Sequence, residues 1–122
     1  MAVHTEYIEV ETKGNRDVVD LSKALSSIVS TSGVRDGVLV VFVPGSTAAL
    51  TTVEYEPGLV KDIDAFFERL LPYRGRYAHH ETWHDDNGAA HLQAALLGPS
   101  LTIPIVEGEL TLGTWQQPVL VD

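Results

Sequence analysis

Val38-Leu39-Val40-Val41-Phe42-Val43 is an unbroken apolar run, largely β-branched, bounded by Gly37 on one side and Pro44-Gly45 on the other. Its length suits a strand, and the lack of polar alternation predicts a central strand buried on both faces. Outward from it, Pro44-Gly45-Ser46 turns the chain and Ala48 to Val53 continues extended. Upstream, Leu21, Ala24, Leu25, Ile28 and Val29 recur at helical spacing, with Asp20 as a natural N-cap and Gly33 as a natural stop. Further upstream, Tyr7 to Thr12 alternates and reads as an opening strand that ends at Gly14-Asn15. Downstream, Leu59, Val60, Ile63, Phe66, Phe67, Leu70 and Leu71 form one face of a second helix that starts at Pro57 and ends before Pro72. After a polar stretch, Leu101 to Val106, Glu109 to Gly113 and Gln116 to Val121 read as strands, with Glu107-Gly108 turning the first hairpin. Strands at both ends with two main helices between them predict an α+β fold, a compact mixed or antiparallel β-sheet sandwich.

The chain has 122 residues, 44% of them hydrophobic, which is one domain's worth of core spanning residues 1–122. Eight basic against 17 acidic residues leave a formal charge of −9. The cations are scattered, so neither nucleic acid nor an anionic membrane surface is expected as a partner. There is no cysteine, hence no disulfide and no thiolate metal ligand. No apolar run is long enough to span a bilayer and the first residues carry no charged leader, so a cytoplasmic location is expected.

Chemistry is concentrated in one polar stretch. His79, His80, His84 and His91 fall within thirteen residues, interleaved with Glu81, Asp85, Asp86 and Asn87. Imidazole and carboxylate are the ligands a divalent metal uses when no thiolate is available, and imidazole also shuttles protons near neutral pH. A solvated acidic loop that merely carries histidines is the plain alternative. His80-Glu81-Thr82-Trp83-His84 matches H-E-x-x-H, the pattern of zinc metallohydrolases, which needs a helix to place both imidazoles on one face. The segment shows no apolar stripe to anchor such a helix, and His91 lies one residue too far along for the longer metzincin spacing. Ser46 and Thr47 offer hydroxyls to an anion or simply complete a turn. Trp115 is expected in the core, and Gln116 would need a partner if buried.

These residues together resemble the YjbQ-like family, described as secondary thiamine-phosphate synthases. The resemblance runs from about Val34 to Asp122 through Gly45-Ser46-Thr47-Ala48-Ala49-Leu50, Glu54 and Pro57, and Tyr77-x-His79. It continues through Asp85-x-Asn87-x-x-x-His91-Leu92, Leu97-Gly98-Pro99-Ser100-Leu101-Thr102-x-Pro104 and Leu112-Gly113-Thr114-Trp115-Gln116-Gln117. It implies a compact α+β fold, a homotrimer, a polar pocket near subunit contacts, and a bound metal or anion at the histidines. His79, Asp85, Asn87 and His91 match its motif, whereas His80, Glu81 and His84 fall where the family varies. The implied roles are catalytic for Glu54, His79 and His91, and metal-holding for His79, Asp85 and His91, with zinc or magnesium as the cofactor. Ser46, Thr47, Asn87 and Gln116 would bind a small phosphorylated ligand. Two departures accompany the match: Gly45 stands where the family usually has histidine, and the family's arginine-rich final strand lies beyond Asp122. The reaction implied is displacement of pyrophosphate from an activated pyrimidine by a thiazole nitrogen. The alternative is a non-enzymatic trimer that binds a metal or small anion.

Overall fold

Asp20 accepts hydrogen bonds from both the backbone N–H and the hydroxyl of Ser22, at 2.9 and 2.6 Å, but it stands one residue before the cap position of the first helix, which Leu21 occupies without a side-chain cap bond. Gly33 stops that helix in the left-handed conformation, φ 72°, as its position in the sequence predicts. The structure, a computed structural model, describes residues 2–122. In chain order its elements are β1 (Val18–Asp20), α1 (Ser22–Ser32), β2 (Gly37–Phe42), β3 (Ala49–Val53), α2 (Pro57–Leu70), α3 (Ala78–Trp83), α4 (Gly88–Leu97), β4 (Ser100–Val106), β5 (Glu109–Leu110) and β6 (Gln117–Val121). They form two three-stranded antiparallel sheets, ordered β1-β6-β3 and β2-β4-β5, with four helices.

The α+β expectation holds, but the strand buried on both faces is β6, not β2. In β6, Leu120 joins Leu21, Leu25 and Leu50 in one core cluster, while Val119 and Val121 join Val18 in another. The first cluster collects the inner side chains of both sheets and of α1. The second is covered by Val60 and Ile63 of α2 and Leu97 of α4. By contrast β2 lies at the edge of its sheet. Leu39 and Val41 face the first cluster, but Val38, Val40 and Phe42 are 61, 65 and 62% exposed. Among the described residues no helix covers that outer face, so a continuous apolar run became a one-sided strand.

Residues Tyr7 to Thr12 form no strand. Both places beside the central strand β6 are taken, by Val18–Asp20 and by β3, so the alternating segment does not pair there. Val10 still packs on the first cluster, and the Thr12 hydroxyl donates to the Asp122 carboxylate. The second helix forms as expected, with Pro57 in its first turn and the Glu56 carboxylate accepting from the N–H groups of Gly58 and Leu59. Only Phe67 of its apolar face is buried, while Phe66 and Leu70 remain exposed. Trp115 is also exposed rather than in the core. The β4–β5 hairpin turns at Glu107-Gly108 with φ of 53° and 82°, the doubly positive pattern of a type I′ turn.

Two helices arise where a polar loop was expected. The α4 sequence Gly88-Ala89-Ala90-His91-Leu92-Gln93-Ala94 buries small residues rather than a wide apolar stripe, so its periodicity is weak even though its alanines favour a helix. The second, α3, covers part of the H-E-x-x-H string. It is six residues long and buries none of them.

Candidate functional site

Tyr77 sets the geometry of the histidine region. Its hydroxyl donates to the Pro72 carbonyl at 2.7 Å, and its ring lies against the start of α4. A Cβ on Gly88 would stand 2.5 Å from the Tyr77 Cβ, so only glycine allows this approach. Between the helices the chain reverses through His84 and Asp86, both at positive φ, 58° and 52°. The reversal carries His79 of α3 and His91 of α4 face to edge, with ring centroids 4.5 Å apart. Both rings, with Tyr77, Ala78, Gly88 and Leu92, line a pocket of about 380 Å³.

Asp85, in the reversal, places Oδ1 3.2 Å from His79 Nε2. The contact is close enough for electrostatic attraction, yet its angle lies outside hydrogen-bond geometry, so the buried Nε2 has no hydrogen-bond partner. Such an orphaned atom carries a desolvation cost that a ligand would relieve. The Nε2–Oδ1 spacing also suits two donors sharing one small cation, whose bonds to N and O run near 2.0–2.2 Å. Among the described residues, however, no group of three His, Cys, Asp or Glu side chains stands close enough to hold a metal ion. This chain alone offers a two-donor half-site with His91 beside it.

His80 and His84 form a separate pair, with centroids 5.6 Å apart. His80 Nδ1 is occupied by Asp86, which donates its backbone N–H at 3.3 Å and places Oδ1 at 3.1 Å. The H-E-x-x-H string does lie on a helical turn, contrary to the expectation of a loop, but His84 is the residue at which that helix ends. Neither His80 nor His84 lines the His79–His91 pocket.

The other candidate residues lie apart. Thr47 and Asn87 line a second pocket, of 180 Å³, together with Arg16 and Gln93. Asn87 is the N-cap residue of α4, but its side chain caps nothing and its buried Oδ1 lacks a partner. Ser46 and Glu54 are exposed and border neither pocket. Gln116 is engaged within the fold, accepting from the Gly113 N–H and donating to the Thr52 hydroxyl, both at 3.0 Å.

Arg16 was one more scattered cation in the sequence. In the structure it is 7% exposed and four of its five guanidinium N–H groups are hydrogen-bonded. Nε donates to Gln93 Oε1 at 3.0 Å, Nη1 to Glu68 Oε2 at 2.9 Å with Asp64 at 3.6 Å, and Nη2 to the carbonyls of Phe67 and Leu71. It thereby satisfies end carbonyls of α2 and ties that helix to α4. No short-range pattern marks such a residue, because its hydrogen-bond partners lie 51 or more positions away.

The fold joins two three-stranded antiparallel sheets to four helices, and two imidazoles meet where α3 packs against α4. Among the described residues no helix is long and apolar enough to cross a membrane. The chain belongs to the UPF0047 YjbQ-like family, whose profile matches residues 6–122, a wider span than the motifs from Val34 onward. It is 36% identical to a UPF0047 protein of Methanothermobacter thermautotrophicus over 95% of this chain and 80% of that one. Among solved structures, it is similar to a hypothetical protein from Aeropyrum pernix K1, with TM-score 0.87 and 39% identity over 93% of this chain and 83% of that one. It is likewise similar to a YbjQ-like protein of unknown function from Sulfolobus solfataricus P2, with TM-score 0.86 and 37% identity over 92% and 80%.

Proposed function

We propose that the His79–His91 pocket binds a small phosphorylated ligand and supports weak thiamine-phosphate-synthase-like transfer. The observation that carries this reading is the approach of two imidazoles at one pocket wall, with His79 Nε2 buried, without a hydrogen-bond partner and 3.2 Å from the Asp85 carboxylate. A divalent cation, zinc or magnesium, would be held by His79 and Asp85 beside His91 and would neutralise phosphate charge on the ligand. The imidazoles themselves orient the ligand and, when protonated, donate hydrogen bonds to a departing pyrophosphate. Asp85 attracts the His79 ring electrostatically at 3.2 Å. Glu54 stands outside the pocket in a single chain, which favours the second reading: a binding module without turnover.

We also propose assembly as a homotrimer through the outer face and free edge of β2. An exposed apolar edge strand is a surface that proteins normally cover, and Val38, Val40 and Phe42 provide one.

Calorimetric titration with magnesium pyrophosphate tests the site. His79→Ala and His91→Ala are each expected to weaken binding about tenfold or more, while His84→Ala leaves it unchanged. Loss on His84→Ala with retention on His79→Ala would move the site to the H-E-x-x-H string. Binding without formation of thiamine phosphate from its two substrates would select the binding module.

A further inference from the structure

The 180 Å³ pocket at the start of α4 is lined by both hydrogen-bond donors and acceptors, and the described function uses neither set. The donors begin with Gln93, which is 2% exposed. Its Oε1 is committed to Arg16 Nε, which fixes the orientation of the carboxamide and leaves the NH₂ group to the pocket. Ala89 and Ala90 line the same wall at the second and third positions of α4. Asn87 gives this helix no side-chain cap, so those backbone N–H groups lack the acceptor a capped helix would provide. The acceptors are the buried, unpartnered Oδ1 of Asn87 and the carboxylate of Asp122, which receives only the Thr12 hydroxyl, on Oδ2.

Charge decides between ligands. Four of the five Arg16 N–H groups are hydrogen-bonded, and Glu68 and Asp64 beside it offset its positive charge. Asp122 therefore leaves the pocket with an uncompensated negative charge, which opposes a phosphate dianion and favours a cation. The α4 N-terminus a few residues away favours an anion. The volume equals that of about six liquid waters, enough for a molecule with an amino acid's small backbone.

We propose that this pocket binds a small zwitterion of amino-acid type, its carboxylate on the Ala89 and Ala90 amides and Gln93, its ammonium on Asp122 and Asn87 Oδ1. This goes beyond the histidine-pocket reading and does not rest on it.

The test is an NMR titration of the ¹⁵N-labelled protein with L-alanine, acetate, ethylamine and inorganic phosphate. L-Alanine is expected to shift the Ala89 and Ala90 amides and the Gln93 NH₂ saturably, and to bind roughly tenfold more tightly than acetate or ethylamine. Asp122→Asn is expected to abolish that advantage while acetate binding stays the same. His91→Ala should leave alanine binding unchanged, which separates this site from the histidine pocket. The proposal is overturned if L-alanine produces no saturable shift, if it binds no better than acetate, or if phosphate displaces it. It is likewise overturned if folded Asp122→Asn retains the full preference for alanine.

Discussion

Strands β6 and β2 are written in almost the same alphabet and end in opposite surroundings. Pro118-Val119-Leu120-Val121 lies in the middle of its sheet with all four residues buried. Gly37 to Phe42 is an edge strand whose alternate side chains project away from the core. The difference teaches that an apolar run records how many faces require cover, not which part of the chain supplies it. For β6 the cover is internal, from α1 and the second sheet on one face and α2 and α4 on the other. For β2 the chain supplies only half.

The largest expected effect breaks the comparison directly. Val119 is fully buried, so Val119→Asp places an unpaired carboxylate in the core and should cost about 4 kcal/mol or more, enough to unfold many domains of this size. Val40→Asp, on the outer face of β2, should leave the stability of the single chain within about 0.5 kcal/mol. Its effect should appear instead in light scattering, as a fall from the mass of the proposed trimer to that of one chain. If Val40→Asp unfolds the protein as Val119→Asp does, the two strands are equivalent and the outer face of β2 is structural. Urea unfolding of the two variants separates these outcomes.

A smaller effect sharpens the account of what covers β6. Arg16 ties α2 to α4 by bonds to Gln93, Glu68 and two helix-end carbonyls. Arg16→Met retains part of the aliphatic stem but leaves those acceptors unsatisfied, at a cost of about 3 kcal/mol in urea unfolding. A pH signature accompanies it. The Tyr73 backbone N–H donating to Glu68, and then the Arg16 guanidinium, hold the Glu68 carboxyl below its ordinary value of 4.5. A carboxyl depressed in the folded state stabilises above its unfolded value and loses that contribution as pH falls through the folded one. Stability should therefore decline below about pH 4.5 more steeply than in Glu68→Gln, with Arg16→Met between them because the Tyr73 donor remains. Identical acid profiles in all three proteins would remove Glu68 from the linkage.

How far the sequence could be read follows the same division between local and distant causes. The first helix, with Asp20 near its start and Gly33 at its end, the second helix from Pro57, and the Glu107-Gly108 hairpin were legible because each depends on residues within a few positions. The position of β2 was not, because edge or centre is decided by β4 and β6, some sixty residues downstream or more. In the site, the clustering of His79, Asp85 and His91 was visible in the sequence; the structure sets His79 against His91 and near Asp85, without gathering all three closely enough to hold one metal ion. The helix that carries His91 was not visible, since α4 buries alanine and glycine and depends on Gly88 fitting against Tyr77. Glu54 and Gln116 were named through the family likeness. In the single chain one is exposed and the other is occupied by Gly113 and Thr52.

The smallest expected effect concerns the turn that leaves β2, where the family likeness places an imidazole and this chain has Gly45. Two facts make substitution harmless there: a Cβ on Gly45 meets nothing within 4 Å, and its φ lies outside the left-handed region. Gly45→His should therefore change unfolding stability by less than about 0.5 kcal/mol. The substitution adds a nitrogen donor to a protein whose described His79–Asp85 pair lacks a third close ligand. Zinc affinity, measured by competition with a chromophoric chelator, should rise about tenfold, the gain being limited by ordering an imidazole on an exposed turn. His91→Ala in the same background should lower it again if both rings serve one site. An affinity unchanged by Gly45→His, in a protein of unchanged stability, would mean that the turn after β2 does not reach His79. The half-site would then have to be completed by ligand oxygens or by another subunit.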